Sequence, residues 1–366
     1  MISAALLDRA ACPTCLEANG CARCTRPAGH APCADYADRA GCPCGGPDKV
    51  RLRPDGAQLL CPCCGGAYRF SPEGDYADLL PRSAVGETTH YAEHEFHERL
   101  GVREGEPLLS ARVKADMMLR MLDPQPEGVL LDLGCGAAKL TLFARRSGAK
   151  PVGVDAAPFF LARARGEVDL AVADLRRLPF RKAAFPRAFS LDVLEHLDAE
   201  GLRETLIEAR RTVGPGGRLF VYTHAMESSR LARFQRGVNR VAERLGRAGL
   251  IDVERERLRK SDHKNAIRSH EHFEAVCAEA GLRVVERRYY NVVFKPLVED
   301  LLLRLYERRR QKATRAHAAT SPAAPAAPRR STIALGRALT WLLKLDVVLF
   351  GGIRTGPFFG LLEAER

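Results

Sequence analysis

The sequence predicts an α/β fold in which helices cover both faces of a mostly parallel sheet. In residues 86–294, short apolar runs alternate with longer segments of helical periodicity, the pattern of repeated strand–helix–strand units. The stretch VLLDLGCGAAKL (129–140) joins an apolar strand to a helix through a glycine turn. Such a turn is a common place to hold a nucleotide-like ligand.

Seven strands are expected in this region. The candidates are VLLDL (129–133), PVGV (151–154), VDLAV (168–172), AFSLD (188–192), RLFVYT (218–223), a run beginning at Leu282, and GPFFGLLEAER (356–366). The last is expected to pair antiparallel with the sixth. Helices fit between the strands, and the segment 199–213 carries apolar residues at helical spacing.

Charge and composition leave several classes of partner open. The chain has 366 residues and a formal net charge of +12. A basic surface suits nucleic acid, anionic lipid or acidic metabolites, and charge alone does not choose among them. The first residues lack the basic and apolar regions of a secretory signal, so the cytoplasm is the expected compartment.

Acidic residues after the next strands distinguish this turn from a dinucleotide site. The third glycine of a dinucleotide fingerprint would fall at position 139, which is Lys139. Asp155 ends the second strand, nineteen residues after Gly136, where a carboxylate can accept both ribose hydroxyls. Asp174 follows the third strand within VADLRRLPF.

The motifs VLLDLGCGAAKL, VGVDAAP, VADLRRLPF, FSLDVLEHL and VGPGGRLFVYT stand in order over about residues 125–225. This set resembles the class I S-adenosylmethionine (SAM)-dependent methyltransferases, which implies a Rossmann-like seven-stranded sheet. That resemblance implies that the methionine end of SAM is framed by the residues of the glycine turn, Asp132, Gly134, Cys135 and Gly136. It implies that the ribose is bound by Asp155 and Ala156, and that the adenine is contacted by Asp174 and Leu175. Asp192, at the end of the fourth strand, is a further implied cofactor contact.

Two histidines are candidates for the acceptor side. Methyl transfer to a hydroxyl needs in-line alignment and removal of a proton. His196 follows the fourth strand in DVLEHL, at the sheet edge where ligands of such folds bind, and His263 lies in a loop before the sixth strand. For each, a structural histidine without a catalytic role is the alternative. His90, His94 and His97 share one helical face, for which a polar surface or a lid is favoured over a metal site.

Ten of the twelve cysteines fall in the first 64 residues, at spacings typical of thiolate metal ligands. The segment 41–85 resembles the small zinc ribbon that activates tRNA and protein methyltransferases, which implies structural zinc on Cys42, Cys44, Cys61 and Cys64. The first pair is Cys-X-Cys, so Cys63 is a substitute ligand. Within 1–40, Cys12, Cys15, Cys21 and Cys24 form a second candidate set, for zinc or an iron–sulfur cluster.

Residues 86–366 are assigned to the methyltransferase-like domain, with an insertion at about 295–355. A basic amphipathic helix is expected within 230–250, and the apolar stripe from Leu335 to Ile353 predicts a buried or interfacial helix. Peripheral contact with a membrane is compatible with both. Residues 313–331 have the composition of a low-complexity linker.

These features predict an enzyme that transfers a methyl group from SAM to a small-molecule or lipid-like acceptor at O, N or C. The runner-up is an RNA or protein methyltransferase, which the ribbon and the basic charge favour. A third interpretation is a noncatalytic SAM-binding scaffold whose cysteine-rich head engages a partner.

Overall fold

A computed structural model describes the protein over most of residues 106–366 and over six shorter stretches before them. The described residues are 3–17, 51–56, 58–61, 64–71, 74, 76–80, 106–161, 167–227, 229–251, 263–264, 266–290, 293–305, 308 and 330–366.

The head of the chain forms short elements around a small sheet. Its helices are α1 (Ala4–Leu7) and α2 (Pro13–Glu17), and its antiparallel strands, in order, are β1 (Arg53–Asp55), β2 (Gln58–Leu60) and β3 (Ala67–Arg69). A further strand, β4 (Ala77–Asp78), leaves this small sheet and pairs elsewhere. Few large apolar side chains are available here, so the head needs support from its surroundings.

The predicted strands form the central sheet. They are β5 (Val129–Leu133), β6 (Lys150–Asp155), β7 (Asp169–Val172), β8 (Arg187–Leu191), β9 (Arg218–His224), β10 (Leu282–Tyr289) and β11 (Pro357–Ala364). Their order, with the head strand at one edge, is β10-β11-β9-β8-β5-β6-β7-β4. β4 to β9 run parallel, whereas β11 is antiparallel to both β9 and β10. The predicted antiparallel last pair is therefore confirmed.

Helices connect and cover these strands. They are α3 (Ser110–Leu122), α4 (Lys139–Ala144), α5 (Pro158–Leu161), α6 (Ala199–Val213), α7 (Arg230–Arg247), α8 (His270–Glu279) and α9 (Arg330–Phe350). A π-helix spans Pro296–Leu303. Short 3₁₀ turns cover Arg145–Ser147, Leu175–Arg177 and Leu194–His196. α6 has the predicted bounds, because Asp198 caps its start by accepting from Gly201 N, and Gly214 lies just past its end.

The head and the central sheet share one hydrophobic core, which the sequence does not predict. β4 extends the sheet as an eighth strand, with Ala77 opposite Ala171 of β7. Ala11 N donates to the Pro179 carbonyl at 2.9 Å, and Leu6 and Phe180 are both fully buried in the same cluster. Side chains of the small sheet, such as Leu59, belong to that cluster too. The head is thus packed against the central sheet as part of one core.

The surface of α7 differs from the predicted amphipathic pattern. The buried residues of this helix are Ala232, Val238 and Ala242, whereas Phe234 and Val241 lie on the exposed side. Small residues let the helix pack closely, so its larger apolar side chains turn outward beside its arginines. α9 likewise exposes Trp341 and Val348. No helix in the described ranges combines the length and apolar composition needed to cross a bilayer.

Candidate functional site

The glycine turn after β5 has one glycine that packs and one that faces open space. Gly134 and Gly136 have φ of +78° and +52°. A Cβ on Gly134 would lie 2.4 Å from Cγ2 of Val193, on the loop after β8, whereas a Cβ on Gly136 would meet nothing within 4 Å. Gly134 is therefore required for packing, and Gly136 leaves a cradle in which a ligand can approach the backbone.

The carboxylate of Asp155 is fixed beside this cradle. Its Oδ2 accepts from Gly136 N at 2.8 Å and its Oδ1 from Ala157 N at 2.9 Å. Each carboxylate oxygen can accept more than one hydrogen bond. Ala156, the residue between Asp155 and Ala157, is exposed. The end of β6 thus presents an oriented anion next to the glycine turn.

Asp132 lies deeper, within β5. It is 3% exposed, and Thr141 Oγ1 donates to its Oδ2 at 2.6 Å. Burial raises the pKa of the Asp132 carboxyl, the hydrogen bond from Thr141 lowers this pKa, and the nearby charge of Asp155 raises it. The resulting pKa is about 8. Asp132 is therefore mostly neutral at pH 7, and a cationic ligand bound nearby would favour its ionised form.

The side chain of Cys135 is packed within the fold. A Cβ on Gly153 of β6 would lie 2.8 Å from the Cys135 Sγ, so the missing side chain at 153 makes room for the thiol. Burial, followed by the nearby charges of Asp132 and Asp155, raises the pKa of this thiol well above its usual value. Because only a thiolate is strongly nucleophilic, Cys135 has a packing function in this state of the protein.

Asp174 and Leu175 begin the turn after β7. The Asp174 side chain accepts from Arg176 N at 2.8 Å and from Arg176 Nη2 at 2.7 Å. Leu175 is 9% exposed and packs in the main core. The carboxylate is therefore paired with a guanidinium from its own turn, a partner that the sequence analysis did not anticipate.

Asp192, after β8, faces a lysine. Its φ is +58°, a conformation that costs energy for a residue with a side chain. Lys114 Nζ of α3 lies 2.7 and 2.6 Å from its two carboxylate oxygens and 4.1 Å from the ring centroid of Tyr222. The turn thus orients the Asp192 carboxylate toward the nearly buried ammonium group of Lys114. Lys114 was missed because no motif marks it on its helix.

The structure brings His196 and His263 together, with two residues that the sequence analysis missed. Their ring centroids are 4.7 Å apart, and His263 is 6.2 Å from the ring of His224. Glu195 lies next to them, and its Oε1 is 3.3 Å from His224 Nδ1. Glu195 and His224 each lie at the carboxyl end of a parallel strand, which is the signal that could have found them.

Four thiols meet in the head: those of Cys12, Cys15, Cys61 and Cys64, all within 4.8 Å of one another. The Sγ–Sγ distances are 3.6 Å for Cys12–Cys64 and 3.8 Å for Cys15–Cys61. Gly66 N also points at Cys64 Sγ, at 3.3 Å. A tetrahedral ion with Zn–S bonds of about 2.3 Å requires sulfur separations near ~3.8 Å, so this arrangement fits one zinc ion.

This grouping combines one pair from each of the two predicted sets. Both pairs have the spacing Cys-Pro-X-Cys, Cys12 to Cys15 and Cys61 to Cys64, and the intervening chain does not reveal which pairs meet. The other predicted ligands lie outside the described residues: Cys21, Cys24, Cys42 and Cys44. The alternative ligand Cys63 and the histidines at 90, 94 and 97 also lie outside them.

Comparisons with known proteins give a consistent picture for the middle of the chain. Residues 131–221 match a family model described as a methyltransferase domain. A probable tRNA methyltransferase 9B from Bos taurus is 34% identical over 108 residues, which cover 29% of this chain and 23% of that protein. The ubiquinone/menaquinone biosynthesis C-methyltransferase UbiE of Acidiphilium cryptum is 35% identical over 124 residues, covering 30% of this chain and 46% of that protein.

The chain therefore matches less than half the length of these curated relatives. Among solved structures, phosphoethanolamine N-methyltransferase 2 of Haemonchus contortus with SAM is similar at 16% identity and a TM-score of 0.47. That similarity covers 90% of this chain and 72% of the other.

The raised pKa of Asp132 predicts a pH-dependent cost in stability. The carboxyl is ionised in the unfolded chain above its ordinary value of 3.8 but ionises in the folded protein only near about 8. Between those values, each pH unit lowers the free energy of unfolding by about 1.4 kcal/mol. Asp132→Asn removes this term. Its stability relative to the parent should therefore rise by about 2–3 kcal/mol from pH 6 to pH 8.

Denaturant unfolding of both proteins at the two pH values measures the difference. Asp123→Asn makes the same chemical change at an exposed position and serves as the control. A gain for Asp132→Asn that is equal at pH 6 and pH 8 would contradict the assigned pKa.

Proposed function

We propose that this protein transfers a methyl group from SAM to a small-molecule or lipid-like acceptor, a proposal supported by the match of residues 131–221 to a family model described as a methyltransferase domain. The observation that carries the proposal is the open cradle at Gly136, bordered by the oriented carboxylate of Asp155. Both features lie on the carboxyl side of neighbouring parallel strands, where ligands of open α/β sheets bind.

The residues around the cradle fit the chemistry of SAM. Asp155 would accept hydrogen bonds from the ribose hydroxyls, and Asp174 and Leu175 would contact the adenine. Asp132, Gly134, Cys135 and Gly136 border the methionine end, where the ammonium and sulfonium charges favour an ionised Asp132 over its neutral form. The bound cofactor supplies an electrophilic methyl group, and the fold supplies its orientation.

The acceptor would approach from the side of β8 and β9. His196 and His263 lie beyond the end of β8, separated from Asp155 by the strand that carries the glycine turn. We assign them to the acceptor and not to the cofactor. Asp192, although predicted as a cofactor contact, is paired with Lys114 and borders the same side of the site.

Exposed apolar side chains favour a lipid-like acceptor. Phe234 and Val241 are 40% and 46% exposed among the arginines of α7, and Trp341 of α9 is 66% exposed. Apolar side chains beside basic ones suit an anionic lipid surface. The relative named for ubiquinone/menaquinone biosynthesis supports this acceptor class. RNA is the second candidate, since the exposed arginines of α7 also suit phosphates and another relative is named as a tRNA methyltransferase.

Incubation of the full chain with methyl-labelled SAM and a cell extract, separated into lipid, small-molecule, RNA and protein fractions, tests the proposal. We expect label in the lipid or small-molecule fraction. Asp155→Ala should lower SAM affinity at least tenfold, because it removes hydrogen bonds to a charged group worth ~1.5–3 kcal/mol each. Glu200→Ala, at an exposed position on α6, should bind SAM as the parent does.

Label found only in the RNA or the protein fraction would mean that the acceptor is RNA or protein and not a small molecule or lipid. SAM binding without label in any fraction would favour the noncatalytic scaffold. A folded Asp155→Ala protein with parental SAM affinity would remove this carboxylate from the site.

We further propose that Cys12, Cys15, Cys61 and Cys64 hold one structural zinc ion. Four sulfurs at these separations could ligate a single ion, and four thiolates would complete its tetrahedral coordination. Without a cation the thiols resist ionisation: a hydrogen bond with Cys61 and burial raise the pKa of Cys12. A bound zinc ion would lower the pKa of these thiols by stabilising the thiolates, and it would link α2 to the small sheet.

The full chain should therefore carry about one equivalent of zinc at this site. Cys61→Ser with Cys64→Ser should lose it and melt at a lower temperature, because the head shares its core with the central sheet. Cys277→Ala, which alters a buried cysteine of α8, should keep the zinc. Elemental analysis and thermal unfolding give both results, and an unchanged zinc content in the double variant would refute the assignment.

A further inference from the structure

A second cluster of metal-type ligands lies at the acceptor side of the sheet. Ligating atoms of Glu195, His196 and His263 are all within 4.8 Å of one another. The two imidazole rings are nearly perpendicular, at 89°, so they approach one region from different directions. Glu195 and His196 belong to the 3₁₀ turn after β8, while His263 comes from a separate segment.

The carboxylate of this cluster is built into the fold. Glu195 is 2% exposed, its Oε2 accepts from Thr223 Oγ1 at 3.0 Å, and its Oε1 pairs with His224 Nδ1. Burial acts to raise the pKa of Glu195, but the hydrogen bond with His224, the charge of His224 and a backbone hydrogen bond together leave the pKa below its usual value. A carboxylate this deeply buried is held in one orientation by its hydrogen bonds to Thr223 and His224.

The backbone also ties the third ligand to the cluster. Lys264 N donates to the Glu195 carbonyl at 2.9 Å, which positions the neighbouring His263 beside the turn. Thr223 and His224 orient the carboxylate from β9 in the way that outer groups orient metal ligands in proteins. The ligand atoms and their supports thus come from three separate segments, all held by hydrogen bonds.

We propose that Glu195, His196 and His263 bind a divalent transition-metal ion that in turn binds an oxygen of the methyl acceptor. Imidazole nitrogens suit Zn²⁺, Fe²⁺, Cu²⁺ or Ni²⁺ and a carboxylate also suits Mn²⁺, whereas Mg²⁺ and Ca²⁺ prefer sites made of oxygen alone. Three protein ligands leave coordination positions open for the acceptor. This inference rests on the proposed function, since it assigns that function a hydroxyl acceptor.

The cluster lies close to the proposed cofactor cradle. Val193, two residues before Glu195, is the residue that packs against Gly134 of the glycine turn. A cation here would lower the pKa of a coordinated hydroxyl, whose proton leaves to water. The oxygen then forms the new C–O bond as the C–S bond of SAM breaks, and the electron pair of that bond stays on sulfur. His196 would serve as a metal ligand in this scheme and no separate base is needed.

Equilibrium dialysis of the full chain against Mn²⁺, followed by elemental analysis of all transition metals, tests the site. The parent should hold about one more equivalent of total metal than His196→Ala with His263→Ala. Counting all metals makes the result independent of which ion the protein carries from purification. The four-thiol cluster contributes equally to every protein compared. His272→Ala, on α8 outside the cluster, should match the parent.

S-adenosylhomocysteine affinity, measured by calorimetry on the same proteins, separates this inference from the proposed function. The double variant should bind it within about twofold of the parent while losing the metal. Equal metal content in the parent and the folded double variant overturns the metal site alone. A folded parent that fails to bind S-adenosylhomocysteine overturns the proposed function instead. If the double variant does not fold, the single variant His263→Ala is compared in the same way.

Discussion

The close approach of Gly134 to Val193 is the constraint on which the arrangement of the site depends. At this contact the turn after β5 packs directly against the loop after β8, so a side chain at position 134 would not fit between them. On one side of this contact lie Gly136 and Asp155, which border the proposed cofactor cradle. On the other side begins the turn that carries Glu195 and His196. This contact, together with the direct pairing of β5 with β8, therefore fixes the position of one half of the site relative to the other.

The head makes a different kind of contribution. β4 covers the edge of β7 that would otherwise expose unpaired backbone groups, and the four-thiol cluster lies in the same continuous core as the central sheet. β7 also leads into the turn of Asp174 and Leu175, the proposed adenine contact. Loss of the proposed zinc ion would thus affect the proposed cofactor side through β7 and its pairing with β4, without direct contact between the two sites.

The strands and α6 could be predicted because local patterns determine them: β5 and α6 have the bounds that periodicity and glycine placement indicate. Features that depend on distant parts of the chain could not. The meeting of Cys12 with Cys64 and the pairing of Lys114 with Asp192 each join residues far apart in sequence. The outward position of Phe234 also escaped prediction, since hydrophobic periodicity does not show that small alanines form the packed face.

We propose two neighbouring ligand sites on one edge of the sheet: a SAM cradle between β5 and β6, and a metal-assisted acceptor site beyond β8. A crystal structure of the full chain with S-adenosylhomocysteine and Mn²⁺ would locate both ligands. We expect the ribose hydroxyls on Asp155, the sulfur facing the loop after β8, and Mn²⁺ anomalous density among Glu195, His196 and His263. Cofactor density away from the Gly136 turn, or Mn²⁺ density elsewhere with those three side chains bare, would contradict it.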